Sequence, residues 1–274
     1  MELFVTDLDG TLINKDRQVT KKSEEIINEL IKSGMNFTVA TARTPATAVE
    51  ILQNLDLKLP VALMNGVLIY DTKELKYIDI KDINIESTYK ILDIFEKYNK
   101  NPLVYGIVDN HLWVYHKEFE HAYEYNFYKE RADKELKTFV KISNYKESVL
   151  KSSIINFVAF DEYEKIKSIA EEIEKIEGIN VNYYKDVYED CYFLEAYSSE
   201  ASKANGIKYL SKYINYKNVI CFGDNLNDIP MFELANEAYA TANATEEVKK
   251  IATGVRGSCE EEGVAEFLKE RFQN

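Results

Sequence analysis

The sequence has few cysteines and no long hydrophobic run, and both shortages narrow the classes of protein it can encode. The 3 cysteines show neither the spacing of metal ligands nor the even number of a disulfide framework; they are Cys191, Cys221 and Cys259. No apolar stretch approaches the length of a membrane span. No basic segment followed by a long apolar run stands at the N-terminus, so we expect no signal peptide and no membrane partner. The expected location is the reducing cytoplasm.

Basic residues are also fewer than acidic residues. Lys and Arg number 34 against 47 Asp and Glu, which gives a formal net charge of −13. A nucleic-acid backbone is therefore a poor partner, and an anionic substrate would need a metal ion or a few placed Lys and Arg side chains. The 274 residues predict one large or two modest domains. The sequence shows no internal repeats and does not reveal the oligomeric state.

Two carboxylates follow the first hydrophobic segment. The apolar run Leu3–Val5 is typical of a buried parallel strand, and Asp7 and Asp9 stand at its carboxyl end. Open α/β sheets place their ligand crevice at that end of the strands. Two carboxylates held close repel each other unless a cation joins them or one keeps its proton, and Mg²⁺ suits such oxygen ligands. The alternative is a strand followed by a plain Asp-Gly turn.

The pattern of elements predicts one domain interrupted by another. Strands alternate with helices in the first 80 residues, with Val61–Met64 as a third strand, and the same alternation returns near residue 202. Between them, a helix-plus-hairpin pattern occurs twice and favours an antiparallel sheet, with residues 130–152 predicted as irregular. We therefore predict an α/β fold: a doubly wound, Rossmann-like parallel-sheet core formed by residues 1–81 and 197–274, and an inserted α+β domain at 82–196.

Polar clusters follow strands or begin helices at four places in the predicted core: Asp7/Asp9, Thr41/Ala42/Arg43, Lys203, and Asp224/Asn227/Asp228. In a doubly wound sheet these loops converge on one crevice. Asp7, Asp9 and Asp224 would build a Mg²⁺ site there. Thr41 and the amides after it would bind phosphate oxygens, as exposed N–H groups at helix starts do, and Lys203 would place a positive charge on the same phosphate.

Each cluster has a simpler reading when it is taken alone. Thr41 and Ser202 are residue types that cap helices, and Lys203 by itself would be an ordinary solvated lysine. Asp224-Asn225 would be a turn. The joint occurrence of all four clusters in this order is what favours a site.

The four clusters resemble the ordered motifs of the haloacid dehalogenase-like hydrolase superfamily. The resembling residues are Asp7-x-Asp9-Gly10-Thr11-Leu12, Thr41, Lys203 and Gly223-Asp224-x-x-Asn227-Asp228. The likeness extends to the Cof-type phosphatases (subfamily IIB), whose larger cap domain is inserted between the second and third motifs, as the segment between Arg43 and Lys203 is here. Ala42 departs from the Gly that is more common after the motif-two Thr. The inserted segment resembles the cap only in position and element pattern.

The resemblance implies catalytic and metal-binding roles. Asp7 would be the nucleophile that forms an aspartyl-phosphate, and Asp9 would act as general acid and then base. Mg²⁺ would be held by Asp7, the main-chain carbonyl of Asp9 and Asp224, with Asp228 supporting through water or through contacts with these ligands. The superfamily's ion pumps have Thr where this chain has Asp9, so the resemblance favours a phosphatase.

The resemblance also implies a phosphate cradle and a substrate class. Leu8, Thr41, Ala42, Lys203 and Asn227 would bind the phosphoryl oxygens. Arg43 would either contact the substrate or pair with a carboxylate of the core. The expected activity is Mg²⁺-dependent hydrolysis of a small-molecule phosphate monoester, a sugar phosphate or a similar metabolite. A phosphomutase on the same fold and a non-catalytic, phosphometabolite-binding regulator are the alternatives.

Overall fold

The computed structural model describes residues 1–185 and 190–273, so residues 186–189 of the predicted inserted domain and residue 274 of the predicted core lie outside the described ranges. The chain divides into two compact units. One comprises Met1–Asp79 and Ala201–Asn274, and the other comprises Ile80–Glu200.

The described strands and helices follow in chain order. The strands are β1 (Glu2–Thr6), β2 (Asn36–Val39), β3 (Val61–Leu63), β4 (Leu68–Asp71), β5 (Lys76–Ile80), β6 (Leu103–Val108), β7 (His111–His116), β8 (Lys137–Lys141), β9 (Ser153–Asp161), β10 (Ile179–Lys185), β11 (Tyr192–Ser198), β12 (Asn218–Gly223), β13 (Glu237–Thr241) and β14 (Gly254–Arg256). The helices are α1 (Lys21–Lys32), α2 (Pro45–Leu52), α3 (Ile85–Lys97), α4 (Ala122–Lys129), α5 (Tyr145–Val149), α6 (Tyr163–Ile173), α7 (Lys203–Tyr209), α8 (Ile229–Leu234), α9 (Glu246–Ile251) and α10 (Gly263–Gln273).

A parallel sheet of order β14-β13-β12-β1-β2 forms the centre of the first unit. Strand β1 lies between β12 and β2, and its residues Leu3, Phe4 and Val5 are buried, as the continuous apolar run indicates. The predicted α/β fold with a parallel core sheet is confirmed. Because β1 and β12 are neighbours and run in the same direction, the loops that follow them emerge at the same edge of the sheet.

The predicted third strand of this sheet pairs differently. Among the described residues, β3 joins β2 only through a single parallel bridge, Ala40 to Ala62, and otherwise pairs antiparallel with β4 in a small sheet of order β3-β4-β5. The cause lies in the turn that follows β3. Met64 and Asn65 have left-handed φ values of 50° and 54°, which turn the chain back on itself after only three strand residues.

The second unit was predicted to have an antiparallel sheet, and its sheet is antiparallel except for one parallel pair. Its order is β10-β11-β9-β6-β7-β8, and β7 and β8 are parallel while the other pairs are antiparallel. The segment 130–152, predicted as irregular, contains β8 and α5. Helices α3, α5 and α6 pack on one face of the sheet around a hydrophobic core that includes Phe95, Val149 and Ile169. Within the described part of the chain, none of the helices has the length and apolar character needed to cross a membrane.

Candidate active site

Asp7 occupies the first position after β1, in a loop held tightly by backbone hydrogen bonds. Its amide donates to the carbonyl of Phe222 on β12 (2.9 Å), and the Leu8 carbonyl accepts from the amides of three residues, Thr11, Leu12 and Ile13. The loop turns at Gly10, whose φ of +74° favours glycine. A Cβ at Gly10 would also overlap the Asp224 carboxylate. Asp7 and Leu8 are buried in this loop.

Lys203 joins two carboxylates inside the site. Its ammonium donates to Oδ1 of Asp7 at 2.7 Å and to Oδ1 of Asp228 at 2.5 Å, and its side chain has no exposed surface. The start of α7 fixes its position, because Ser202 caps that helix by accepting a hydrogen bond from the Asn205 amide. The prediction that Ser202 caps a helix is therefore confirmed. Lys203 is buried, unlike the solvated lysine that is expected when the residue is considered alone.

The loop after β12 brings two more carboxylates to Asp7. Oδ2 of Asp228 accepts from the amides of Asp224 (2.9 Å) and Asn225 (3.0 Å), so both oxygens of Asp228 are engaged. The Thr11 hydroxyl donates to Oδ1 of Asp224 at 3.0 Å. The Asp228 carboxylate also lies close against the backbone of Gly223. A Cβ at position 223 would lie 2.6 Å from Oδ2 of Asp228, so a larger residue there would overlap the carboxylate.

Burial and like charges set the electrostatics of the cluster. Burial, with the nearby charge of Asp228 adding to it, raises the pKa of Asp7 to about 7 in spite of the Lys203 ammonium. Burial and Asp228 likewise raise the pKa of Asp224 to about 6. Burial alone would lower the pKa of Lys203, but the charges of Asp7 and Asp228 outweigh it and raise that pKa. Three carboxylates thus lie close to a single ammonium, which contacts two of them, Asp7 and Asp228.

These carboxylates fit a divalent cation. Asp7, Asp224 and Asp228 each offer an oxygen, and the three oxygens lie within 4.8 Å of one another. Hard cations such as Mg²⁺ and Ca²⁺ prefer oxygen ligands, and the excess of negative charge over the single ammonium is of the right sign. The donor set and its charge therefore suit such an ion.

The Asp9 carboxylate lies apart from this group and pairs with Arg43. Nε of Arg43 donates to Oδ2 of Asp9 at 2.7 Å and an Nη donates to Oδ1 at 2.6 Å, a bidentate arrangement. The Asp9 side chain is 55% exposed, whereas that of Arg43 is 17% exposed. Of the two readings of Arg43, the structure shows the pairing with a carboxylate, and contact with a substrate stays a prediction.

The second motif forms a neighbouring loop. Thr41 is buried, its hydroxyl accepts from the Arg43 amide at 3.3 Å, and its carbonyl accepts from the amide of Asn65 at 2.9 Å. Thr41 is not a helix cap, because α2 begins at Pro45. Ala42 is exposed beside it.

Asn65, which the sequence analysis did not single out, contacts Asn227, and Thr11 makes a contact that the sequence did not predict. Nδ2 of exposed Asn227 donates to Oδ1 of Asn65 at 3.2 Å. Asn65-Gly66 looks like an ordinary turn in the sequence, and only the folded chain shows that it contacts Asn227 and Thr41. Thr11 belongs to the first motif, but its hydrogen bond to Asp224 joins loops more than 200 residues apart, for which no local signal exists.

The chain is similar to known proteins of one family. The model of the haloacid dehalogenase-like hydrolase family matches residues 4–268. The 5-amino-6-(5-phospho-D-ribitylamino)uracil phosphatase YitU of Bacillus subtilis is 24% identical over 274 residues, with 98% of this chain and 97% of the relative covered. The phosphatase YwpJ of the same bacterium is 27% identical over 297 residues, with 98% and 99% covered. The subclass IIB sugar phosphatase BT4131 superposes with a TM-score of 0.74 at 19% identity over 99% of both chains, a likeness of fold.

Proposed function

The chain belongs to the haloacid dehalogenase-like hydrolase family and is a hydrolase of phosphoric monoesters, and we propose that it is a Mg²⁺-dependent phosphatase that forms an aspartyl-phosphate on Asp7. The predicted resemblance to the haloacid dehalogenase-like hydrolase superfamily is confirmed, and the resemblance to its subclass IIB members is confirmed at the level of the fold. The observation that carries the proposal is the buried Lys203 ammonium held between Asp7 and Asp228. That contact orients one oxygen of a buried carboxylate at the carboxyl end of a parallel strand, the edge at which such sheets bind ligands.

The residues present would hold the cation around Asp7. Asp7, Asp224 and the main-chain carbonyl of Asp9 are the proposed ligands, and Asp228 supports them through its hydrogen bonds to Lys203 and to the Asp224 amide. A bound Mg²⁺ would act as a Lewis acid and offset the negative charge of the phosphate.

Asp7 supplies the nucleophile. Lys203 engages Oδ1, so we assign the attack on phosphorus to Oδ2. The new oxygen–phosphorus bond forms as the bond to the leaving alcohol breaks, and Asp9 delivers a proton to that alcohol. Asp9 then takes a proton from the water that attacks the aspartyl-phosphate, which releases inorganic phosphate and regenerates Asp7.

The pairing of Asp9 with Arg43 constrains this proton transfer. Both oxygens of Asp9 accept hydrogen bonds from Arg43. Each oxygen has a second lone pair, so Asp9 can carry a proton while Arg43 holds its carboxyl group in one orientation. Arg43 is therefore a positioning residue for Asp9 in this scheme.

Donors around the cluster would bind the phosphoryl oxygens. We assign this role to the amides of Leu8 and Ala42, the Thr41 hydroxyl, the Lys203 ammonium and the Asn227 side-chain amide. Such preorganised donors stabilise the charge that is spread over the oxygens during transfer.

We further propose that the predicted core, residues 1–81 and 197–274, performs the chemistry, and that the predicted cap, residues 82–196, selects the organic part of the substrate. The printed names of the relatives include a phosphatase for a phospho-ribitylamino compound and a sugar phosphatase. These names favour a phosphorylated sugar or polyol as the substrate.

The test is phosphate release from a panel of phosphorylated metabolites. Wild type with Mg²⁺ should hydrolyse some members, EDTA should abolish release, and Asp7→Asn should be inactive, whereas Asp16→Asn, an exposed aspartate in the following loop, should behave as wild type. Acid quenching during turnover should trap a phosphoryl group on the peptide that contains Asp7. Release by Asp7→Asn at the wild-type rate would refute the assignment, and activity that requires a bisphosphate and releases little phosphate would indicate a phosphomutase.

A further inference from the structure

The segment from the end of β13 to the start of α9 contacts the candidate site, although it belongs to none of the four motifs. Three of its residues make these contacts: Thr241, Asn243 and Thr245. Strand β13 pairs in parallel with β12, so the segment emerges at the same edge of the sheet as the loops after β1 and β12. The proposed metal ligands of those loops are therefore within its reach.

Two side chains of this segment hold one backbone carbonyl of the first motif. The carbonyl of Gly10 accepts from Nδ2 of Asn243 at 2.7 Å and from the hydroxyl of Thr241 at 3.2 Å. Both lone pairs of that oxygen are then engaged, which fixes the plane of the peptide between Gly10 and Thr11. Thr241 is buried, whereas Asn243 is exposed. Truncation of Asn243 would therefore remove a hydrogen bond without leaving a cavity in the core.

The side-chain amide of Asn243 is held in one orientation by its two partners. Its Oδ1 accepts from the backbone amide of Cys259 at 3.2 Å. A backbone N–H only donates and a carbonyl only accepts, so Oδ1 must face Cys259 and Nδ2 must face Gly10. Asn243 thus joins the loop after β1 to the segment that precedes α10.

The peptide that Asn243 fixes lies against the carboxylate of Asp224. It continues into Thr11, whose hydroxyl donates to Oδ1 of Asp224 at 3.0 Å. Gly10 adjoins the other oxygen of the same carboxylate, since a Cβ at position 10 would overlap Oδ2 of Asp224. Both oxygens of Asp224 therefore meet Gly10 or Thr11, and a movement of the peptide between these two residues would shift the carboxylate.

The same segment also holds the backbone of Asp224. The Thr245 amide donates to the Asp224 carbonyl at 2.9 Å. Asp224 is thus fixed at its backbone by Thr245 and at its side chain through Thr11 and Gly10. Hydrogen bonds of this kind raise the affinity of a metal site, because they hold the ligand atoms in position before the ion binds.

We propose that Asn243 is a positioning residue for the cation site, acting through the Gly10–Thr11 peptide on the carboxylate of Asp224. This inference rests on the proposed function, because that proposal makes Asp224 a ligand of Mg²⁺. Thr241 supports the same carbonyl through its longer hydrogen bond. Asn243 acts through other residues, so its loss should weaken metal binding and leave the chemical step of the loaded enzyme intact.

Calorimetric titration of the full chain with Mg²⁺, in the absence of substrate, tests the inference. Asn243→Ala should raise the dissociation constant for Mg²⁺ about tenfold, as substitution of residues that orient metal ligands typically does. Thr241→Val removes the hydroxyl and keeps the shape of the side chain, and it should raise the constant by a smaller factor. The matched control is Asn54→Ala, because Asn54 is also an exposed asparagine but its Nδ2 donates to Glu24 on α1. This control variant should bind Mg²⁺ as wild type does.

Phosphate release gives a second readout. At low Mg²⁺ concentration Asn243→Ala should be slower than wild type, and at saturating Mg²⁺ its kcat should approach the wild-type value. A merely structural role would lower the free energy of unfolding in EDTA and leave the dissociation constant for Mg²⁺ unchanged, and that result would overturn the inference.

Failure of the inference is distinguishable from failure of the proposed function. If wild type binds Mg²⁺ but hydrolyses no panel member, the proposed function is wrong. The calorimetric comparison then still decides the inference, because a weaker affinity in Asn243→Ala supports it and an equal affinity overturns it. An absence of Mg²⁺ binding by wild type would overturn both.

Discussion

Replacing Lys203 by Met should damage stability as well as activity. The substitution removes the ammonium that donates to Asp7 at 2.7 Å and to Asp228 at 2.5 Å, and it keeps an unbranched side chain of similar length. Two buried carboxylates then lose their shared cation. Removal of one partner from a buried ion pair typically costs about 3–5 kcal/mol, because the remaining charge is left uncompensated.

The pH dependence of this loss has a definite sign. With Lys203 present, burial already raises the pKa of Asp7 to about 7. Without the ammonium that pKa rises further above the unfolded value, so the folded variant is protonated at mildly acidic pH and its stability falls as the pH rises. In EDTA, we expect Lys203→Met to lower the free energy of unfolding by about 3–5 kcal/mol at pH 8 and by less at pH 6.

Denaturant unfolding followed by circular dichroism measures the loss, and hydrogen exchange should locate it in the peptides of β1 and β12. Lys208→Met, an exposed lysine of the same helix α7, is the matched control and should change stability by about 0.5 kcal/mol or less. Adding Asp7→Asn to Lys203→Met removes one uncompensated charge, so the double variant should be more stable than the sum of the single effects predicts. Equal stability of the Lys203→Met and Lys208→Met variants would refute the reasoning.

Three further outcomes follow from the same contacts. Gly10→Ala should lower the free energy of unfolding more than Gly34→Ala does. Both positions have positive φ, but only at Gly10 would the new Cβ overlap Asp224. Chemical unfolding should show a loss of about 1 kcal/mol for Gly34→Ala and a clearly larger loss for Gly10→Ala, and equal losses would contradict this prediction. Arg43→Met should lower kcat for phosphate release about tenfold or more with little change in KM, since it frees Asp9 from a defined position; an unchanged kcat would exclude the positioning role. Glu195 has a folded pKa of about 7 against an ordinary 4.5, so the stability it contributes is present below pH 4.5 and is lost as the pH rises to about 7. The difference in unfolding free energy between wild type and Glu195→Gln, measured across this range, should show that slope and would be flat if the carboxyl were solvated.

The sequence predicts that Lys203 lies close to the aspartates of the first and the fourth motifs. Asp7 follows one parallel strand, Asp224 follows another, and residues after parallel strands emerge at one edge of a sheet. The structure indeed brings Lys203 within hydrogen-bonding distance of Asp7 and Asp228. Their catalytic and metal-binding roles stay predictions, because geometry alone does not report a reaction.

The sequence alone does not predict which strands pair or which individual side chains contact each other. The three apolar residues of β3 are compatible with a parallel or an antiparallel neighbouring strand. The antiparallel pairing with β4 depends on the left-handed backbone of Met64 and Asn65. Neither residue is glycine, so the sequence did not indicate that turn. Strand β8 begins and ends with a lysine, and apolar and polar residues do not alternate regularly along it. Its sequence therefore does not distinguish it from the irregular segment that was predicted there. The contact of Asn65 with Asn227 depends on where two distant loops lie.

The charge balance of the site connects its stability with its chemistry. Asp7, Asp224 and Asp228 together carry three negative charges when ionised, and Lys203 offsets one of them. The remaining excess equals the charge of a divalent cation. Burial, with the negative charge of Asp228 adding to it, raises the pKa values of Asp7 and Asp224. A phosphate monoester is itself an anion and would be repelled by this excess. A cation that neutralises the carboxylates would therefore stabilise the fold, keep the proposed nucleophile Asp7 ionised and admit the substrate. These three effects should appear and disappear together in a metal titration.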